Sequence, residues 1–224
     1  MNRLKEFMTP RLYAIADMVD VGASIIDVGC DHGYIPLYLA EEGIIKKAIA
    51  SDVNDGPLSS AAKNIEKFGF SHKVVTAKSN GLCNIDCDGY DTIIIAGMGG
   101  ILISEILEKN VRGKTYILQP MTGVEHLMEY LSDNGFKVVS HTLAEEENHI
   151  YNIIKVVDGA EKIEGIGLFL GEKLEKNELY YKYTDVLKRK FKKIILGLSS
   201  SKSDKKDKIN EYNGLLESLE RKLK

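Results

Sequence analysis

Apolar positions in residues 9–157 alternate between two spacings. Residues 24–28, 47–52, 73–77, 92–96 and 115–118 form short β-type runs, and the fourth, inside DTIIIAG, is apolar throughout. Between them, residues 35–42, 58–68, 102–109 and 124–134 read as helices, with apolar side chains every three or four positions. Gly43, Gly69 and Gly135 stand where three of these helices should stop, and Pro57 fits the first turn of another. A short amphipathic helix carrying Leu12, Ile15, Ala16 and Val19 leads in. Strands alternating with helices predict a parallel, doubly wound α/β sheet covered on both faces. Residues 136–142 and 151–157 are two further strands with no helix between them, only the acidic stretch Glu145-Glu146-Glu147-Asn148. They are expected to form an antiparallel hairpin at one sheet edge.

The pattern changes near residue 171, after which no β-rich run remains. Residues 174–198 and 205–224 read as two helices joined by a polar turn, with Ser203 or Asp204 as a cap for the second. Tyr180, Tyr183, Leu187, Phe191 and Ile194 stripe the first helix; Ile209, Tyr212, Leu215, Leu216, Leu219 and Leu223 stripe the second. Two such stripes pack as an antiparallel, coiled-coil-like pair. The expected organisation is an α/β domain over residues 1–165 and a helical hairpin over 166–224.

Composition adds exclusions. The chain has 224 residues, 44% apolar and 28% charged, which is ordinary for a globular protein. No run of 18 apolar residues is present, so no membrane span is expected. The first residues contain acids and no apolar core, unlike a signal peptide. Cys30, Cys83 and Cys87 are odd in number and lack CxxC spacing. Neither a disulfide framework nor a metal site is expected, and a reducing cytoplasm is the default. Residues 1–170 hold 15 Lys+Arg against 24 Asp+Glu, a net of −9, and residues 171–224 hold 15 against 9, a net of +6. A basic module behind an acidic one suggests a polyanionic partner. Nothing in the sequence calls for an obligate protein partner.

The candidate chemistry lies at the predicted carboxyl ends of strands, where doubly wound sheets bind ligands. The first strand runs into Asp27-Val-Gly29-Cys30-Asp31-His32-Gly33, whose glycines let backbone approach a ligand. The second ends at Asp52, followed by Val53, and a carboxylate there can accept both hydroxyls of a ribose. Ser79-Asn80-Gly81-Leu82 follows the third strand and Ala96-Gly97-Met98-Gly99-Gly100 the fourth. The first loop lacks the GxGxxG spacing of nicotinamide enzymes, and no phosphate loop is present. A ribose-bearing ligand without phosphates fits better, namely S-adenosyl-L-methionine (AdoMet). Asp27, Gly29, Cys30, Gly33, Asp52, Val53, Asn80, Gly81, Gly97, Met98 and Gly99 are its candidate contacts.

VGCDHGYIPLYLAEEG, AIASDVNDGPLSSA, SNGL, IIIAGMGG and YILQP together resemble the bacterial tRNA (adenine-N1) methyltransferases that modify adenine 22. The resemblance covers about residues 9–157, and the DHGYxP segment and the AGMGG loop discriminate it. It implies a class I methyltransferase fold, AdoMet as donor and tRNA as acceptor, and the basic helical tail matches the family's C-terminal domain in kind. Asn80 departs from the acid often found before that glycine.

Methyl transfer to adenine N1 is an in-line displacement on a flipped-out base. Tyr34 is the candidate stacking platform, His32 a second pocket residue, and Asp31 or the Gly97–Met98 carbonyls candidate acceptors for the developing charge. Enzymes that methylate the exocyclic amine carry [DN]PP[YFW] where this chain has AGMGG, which favours a ring nitrogen. Gln119-Pro120 is read as loop-shaping, and His72, His126, His141 and His149 as surface or edge residues. Lys188, Arg189, Lys190, Lys192 and Lys193 are expected to project away from the tail's apolar stripe toward tRNA phosphates. A small-molecule methyltransferase is disfavoured by that tail, and a non-catalytic RNA-binding protein by the retained Asp52 and glycine loops.

Overall fold

A computed structural model describes residues 3–109, 111–200 and 205–223. Seven strands form one sheet in the order β3-β2-β1-β4-β5-β7-β6. They are β1 (Ala23–Val28), β2 (Ile45–Asp52), β3 (Val74–Lys78), β4 (Thr92–Gly99), β5 (Thr115–Thr122), β6 (Phe136–Glu146) and β7 (His149–Asp158). The first five run parallel, and β7 and β6 close one edge as the antiparallel hairpin the sequence predicts. The order reverses between β1 and β4, so their carboxyl ends open a crevice.

The sheet is central because both of its faces are apolar. All six residues of β1 are buried. Alternation sends Ile25 to the cluster beneath α1 (Pro10–Ala16), α2 (Tyr34–Glu41) and α3 (Asp55–Phe68). Ile26 and Val28 go to the opposite cluster beneath α4 (Gly100–Leu107) and α5 (Val124–Asp133). Thr9 caps α1 by accepting from the Leu12 N–H at 3.4 Å, and Pro10 opens its first turn, so the lead-in helix starts where expected and stops earlier.

Two boundaries differ instructively. The hairpin turn is only Glu147-Asn148, both left-handed at φ 49° and 65°, so Glu145 and Glu146 belong to β6. β4 continues through the glycine-rich stretch and pairs with β5, with register shifts between Ala96 and Met98 and between Met98 and Gly99. The segment expected to be a loop is thus a kinked strand end.

The tail consists of α6 (Glu178–Ser199) and α7 (Lys206–Lys222). Phe191 meets Tyr212 at 5.7 Å, and Lys176 Nζ, before α6, donates to Lys222 O at the end of α7 at 2.9 Å, so the helices run antiparallel. The expected caps Ser203 and Asp204 lie outside the described residues. A third apolar cluster, from Ile166 to Leu219, joins the pair to the 3-10 turn Gly165–Leu168, with Leu143 and Ile150 of the hairpin packed against it. His141 does stand on the edge strand, as the surface-or-edge reading allowed, but it is not a surface residue: it is 4% exposed, its Nε2 2.9 Å from Asn152 Oδ1, and Asn152 Nδ2 donates to Tyr183 of α6 at 3.0 Å. The tail covers a strand that would otherwise face solvent.

Candidate active site

The chain turns sharply beyond β1. Gly29, Asp31 and Gly33 have φ of 75°, 50° and 72°. Two successive N–H groups, of Gly29 and Cys30, donate to Ser51 O at 2.8 and 2.9 Å and tie this turn to the end of β2. Gly33 suits both its left-handed backbone and its close approach to α3, where a Cβ would sit a tight 3.3 Å from Ala61 Cβ. Asp31 holds a left-handed conformation that a non-glycine residue adopts at a cost, and its side chain is exposed.

The turn forms one wall of a cavity of about 370 Å³. Arg11, Asp27, Tyr34, Gly97 and Met121 line the rest, with Asp31 and His32 at the turn itself. Asp27 is 3% exposed, and its carboxyl is pushed up to about 7, first by burial and then by the charge of Asp52. Burial and the neighbouring acids also push the Cys30 thiol up, so it stays protonated and acts as a small apolar group. Asp52 closes β2, its Oδ1 accepting from the Asn54 N–H at 2.8 Å. A buried acid opening on a cavity calls for a positively charged occupant. A sulfonium nucleoside with an amino group meets that demand.

The comparisons with known proteins agree. Residues 8–154 match the methyltransferase domain family. The Bacillus subtilis tRNA (adenine(22)-N(1))-methyltransferase is 34% identical over 177 residues, 76% of this chain and 74% of that protein. The chain belongs to the tRNA (adenine(22)-N(1))-methyltransferase family. The crystal structure of the B. subtilis m1A22 tRNA methyltransferase TrmK matches at a TM-score of 0.84 and 27% identity, over 97% of this chain and 99% of its own. Streptococcus pneumoniae Sp1610 in complex with S-adenosyl-L-methionine matches at a TM-score of 0.82 and 32% identity, over 97% of this chain and 100% of its own.

Within this methyltransferase fold the sequence-derived candidates fall into three groups. Asp27, Gly29, Cys30, Asp31, His32, Tyr34 and Gly97 share the cavity. Gly33 lies in the same turn, and Met98 adjoins it, its Cε filling the space a Gly29 Cβ would need. Asp52, Val53, Asn80 and Gly81 follow β2 and β3 and are not among the residues lining the cavity. Val53 is exposed there, as is Asn80, while Gly81 is explained by α4, since a Cβ would press on Ile106 at 3.1 Å. Gly99 precedes α4, but the glycine that packing demands is Gly100, where a Cβ would collide with the carbonyl of Gly123.

Tyr34 is not a lone platform. Phe7 stacks on it at 4.9 Å and 11°, and His32 at 5.4 Å and 27°. His32 is the more open ring of that contact, with a side chain 46% exposed. The three rings form a row, of which His32 and Tyr34 line the cavity.

The basic cluster of the tail is divided. Lys190, though exposed, reaches back to the α/β domain: its Nζ donates to Glu125 Oε1 of α5 at 2.8 Å and lies 5.2 Å from the Phe169 ring centroid. Burial pushes the Glu125 carboxyl up, but the Lys190 bond, with help from Glu125's own backbone N–H, leaves it below its usual range. Lys188 pairs with Asp185 at 3.4 Å. Arg189, Lys192 and Lys193 are exposed. The expectation that all five project away is corrected for Lys190, which docks the tail.

Sequence reasoning missed Arg11, Gln119 and Met121. Gln119 is fully buried, and its Oε1 accepts from Gly97 N at 3.0 Å and from Arg11 Nη1 at 2.9 Å. The loop-shaping reading of Gln119-Pro120 is corrected: both lie within β5, and Gln119 braces the kinked end of the neighbouring β4 at Gly97.

Proposed function

We propose that this chain methylates N1 of adenine 22 in tRNA, with AdoMet as methyl donor. The observation that carries the reading is that the family's fold extends through the tail, over 97% of the chain, while the crevice at the strand reversal holds a buried acid. Bound AdoMet supplies an electrophilic methyl group on a sulfonium, a displacement that asks for no metal. Asp27, Gly29 and Gly33 would hold it over the first turn, and Asp52 would take its ribose.

The remaining work falls to the acceptor side. Adenine N1 already carries a lone pair, so no base is needed to deprotonate it. The base must leave its stack, and the His32–Tyr34–Phe7 row offers stacking worth about 1–3 kcal/mol. The methylated ring is cationic. The Asp31 carboxylate, exposed on the strained turn, accepts from the exocyclic amine and offsets the charge. Arg189, Lys192 and Lys193 of residues 166–224 contact tRNA phosphates in a salt-sensitive way. A tRNA acceptor supports a cytoplasmic location for this work. Among the described residues no helix is long and apolar enough to cross a membrane.

The test is incubation with labelled AdoMet and bulk tRNA, followed by nucleoside analysis and mapping of reverse-transcription stops. The expected product is 1-methyladenosine at position 22; label in any other nucleoside, or none, overturns the assignment.

A further inference from the structure

Among the described residues Arg11 is the one lysine or arginine that lines the cavity, and it shares that lining with Asp27, Asp31 and His32. It comes from α1, and three groups outside that helix hold it. Nη1 donates to Gln119 Oε1 at 2.9 Å; Nε lies 3.7 Å from Glu146 Oε2; the guanidinium sits over the Tyr151 ring at 5.6 Å. Gln119 cannot rotate away, because its Oε1 also accepts from Gly97 and its Nε2 donates to Pro120 O at 3.0 Å.

This is more fixation than a surface arginine receives, and it leaves donors unused. A guanidinium has five N–H groups. Among the described residues, Nη2 has no hydrogen-bond partner. Glu146 Oε2, buried with no hydrogen bond, is too far from Nε to complete one. A positive charge fixed at a cavity wall with donors to spare is preorganised for an oxyanion. It is poorly suited to the adenine ring, which becomes cationic during the reaction.

We propose that Arg11 is the oxyanion-binding residue of this pocket. The inference deepens the methyltransferase reading and rests on it. Two oxyanions enter such a site, the α-carboxylate of AdoMet and a phosphate flanking the flipped adenosine. Both offer paired oxygens to a planar fork.

Calorimetry of AdoMet and of its decarboxylated analogue, on the wild-type chain, Arg11→Ala and Arg11→Lys, separates them. If the partner is the carboxylate, the wild type prefers AdoMet by roughly 10- to 100-fold, Arg11→Ala loses that preference, and Arg11→Lys keeps part of it. If the partner is the phosphate, neither variant changes AdoMet affinity. Arg11→Ala then raises the KM for tRNA and lowers the slope of log affinity against log salt by about 1. Two results overturn the proposal. One is equal weakening of AdoMet and its analogue by Arg11→Ala, which makes Arg11 a positioning residue acting through Gln119. The other is no change in either arm. Failure of the methyltransferase reading would show separately, as a wild-type chain that leaves tRNA unmethylated.

Discussion

Asp27 and His141 are buried ionisable side chains on strands of the same sheet, 3% and 4% exposed, yet their surroundings differ. Asp27 opens on a cavity, and its carboxyl is raised to about 7 by burial and by Asp52. His141 borders a smaller cavity of about 230 Å³ between β6 and the segment leading into α6, but it is tied to Asn152 and packed against Gly171, and burial lowers it to about 4 against the opposing effect of the Asn152 bond. Because Asn152 Nδ2 donates to Tyr183, its Oδ1 faces the ring, so His141 Nε2 carries the proton and Nδ1 is left as a bare, partnerless acceptor. Among the described residues a second proton, on Nδ1, would find no hydrogen-bond acceptor. The contrast separates an unpaired group kept for a ligand from one kept neutral to join two parts of the fold.

The largest effect is expected at Asp27. Asp27→Asn should weaken AdoMet binding by about 100-fold or more, the consequence of removing a desolvated counter-charge. In the wild type the cation binds the deprotonated acid, so affinity should fall about tenfold per pH unit below about 7, and Asp27→Asn should abolish that slope. Stability should respond in the opposite sense. The folded chain holds the Asp27 proton up to about 7 and the unfolded chain releases it near 3.8, so stability is lost as pH rises between them, by about 4 kcal/mol. Asp27→Asn should therefore unfold at a higher temperature than the wild type at pH 8. Calorimetric titrations and melts across pH check both; a variant less stable and still able to bind would reverse the reading of Asp27.

The second effect is at His141. His141→Ala should cost about 2–3 kcal/mol of stability and leave AdoMet affinity within about twofold. Its pH dependence runs against that of Asp27. The unfolded chain takes up a proton near 6.5 and the folded chain resists until about 4, so this contribution is present above 6.5 and is lost on acidification, by about 3 kcal/mol. Denaturant titrations from pH 4 to 7 should show the acid-side loss steepened in Asp27→Asn, where the offsetting term is gone, and flattened in His141→Ala. Parallel curves for the two variants would mean that the groups do not titrate as their surroundings dictate.

How far these roles were legible follows the range of the interactions. Asp27 could be found because local signals converge: an apolar strand, a glycine turn and a second acid at the end of the next strand. The parallel sheet and its antiparallel edge came from spacing in the same way. His141 could not, since its partners are Asn152 and Tyr183, on another strand and on the tail. Arg11 was invisible for the same reason: in α1 it is one polar residue beside an apolar stripe, and only folding brings it to Gln119, 108 positions away. Periodicity places Lys190 off the apolar stripe of α6 but does not say that α5 lies there with Glu125. The acidic run 145–147 hid two strand residues, because consecutive charges mask an alternation of period two.

The smallest effect tests the far end of the His141 contact. Tyr183→Phe removes one oxygen and keeps the ring, which belongs to the third apolar cluster. The Asn152 amide would lose the acceptor it now holds at 3.0 Å, in a site too buried for water to replace it readily. The expected cost is about 1–2 kcal/mol. AdoMet affinity should not move, because no residue of this row lines the cavity. Combining Tyr183→Phe with His141→Ala should cost less than the two separately, since both act through Asn152. Strictly additive losses would mean that the tail is held on the sheet by apolar packing and the Lys190–Glu125 pair, with the polar row contributing nothing of its own.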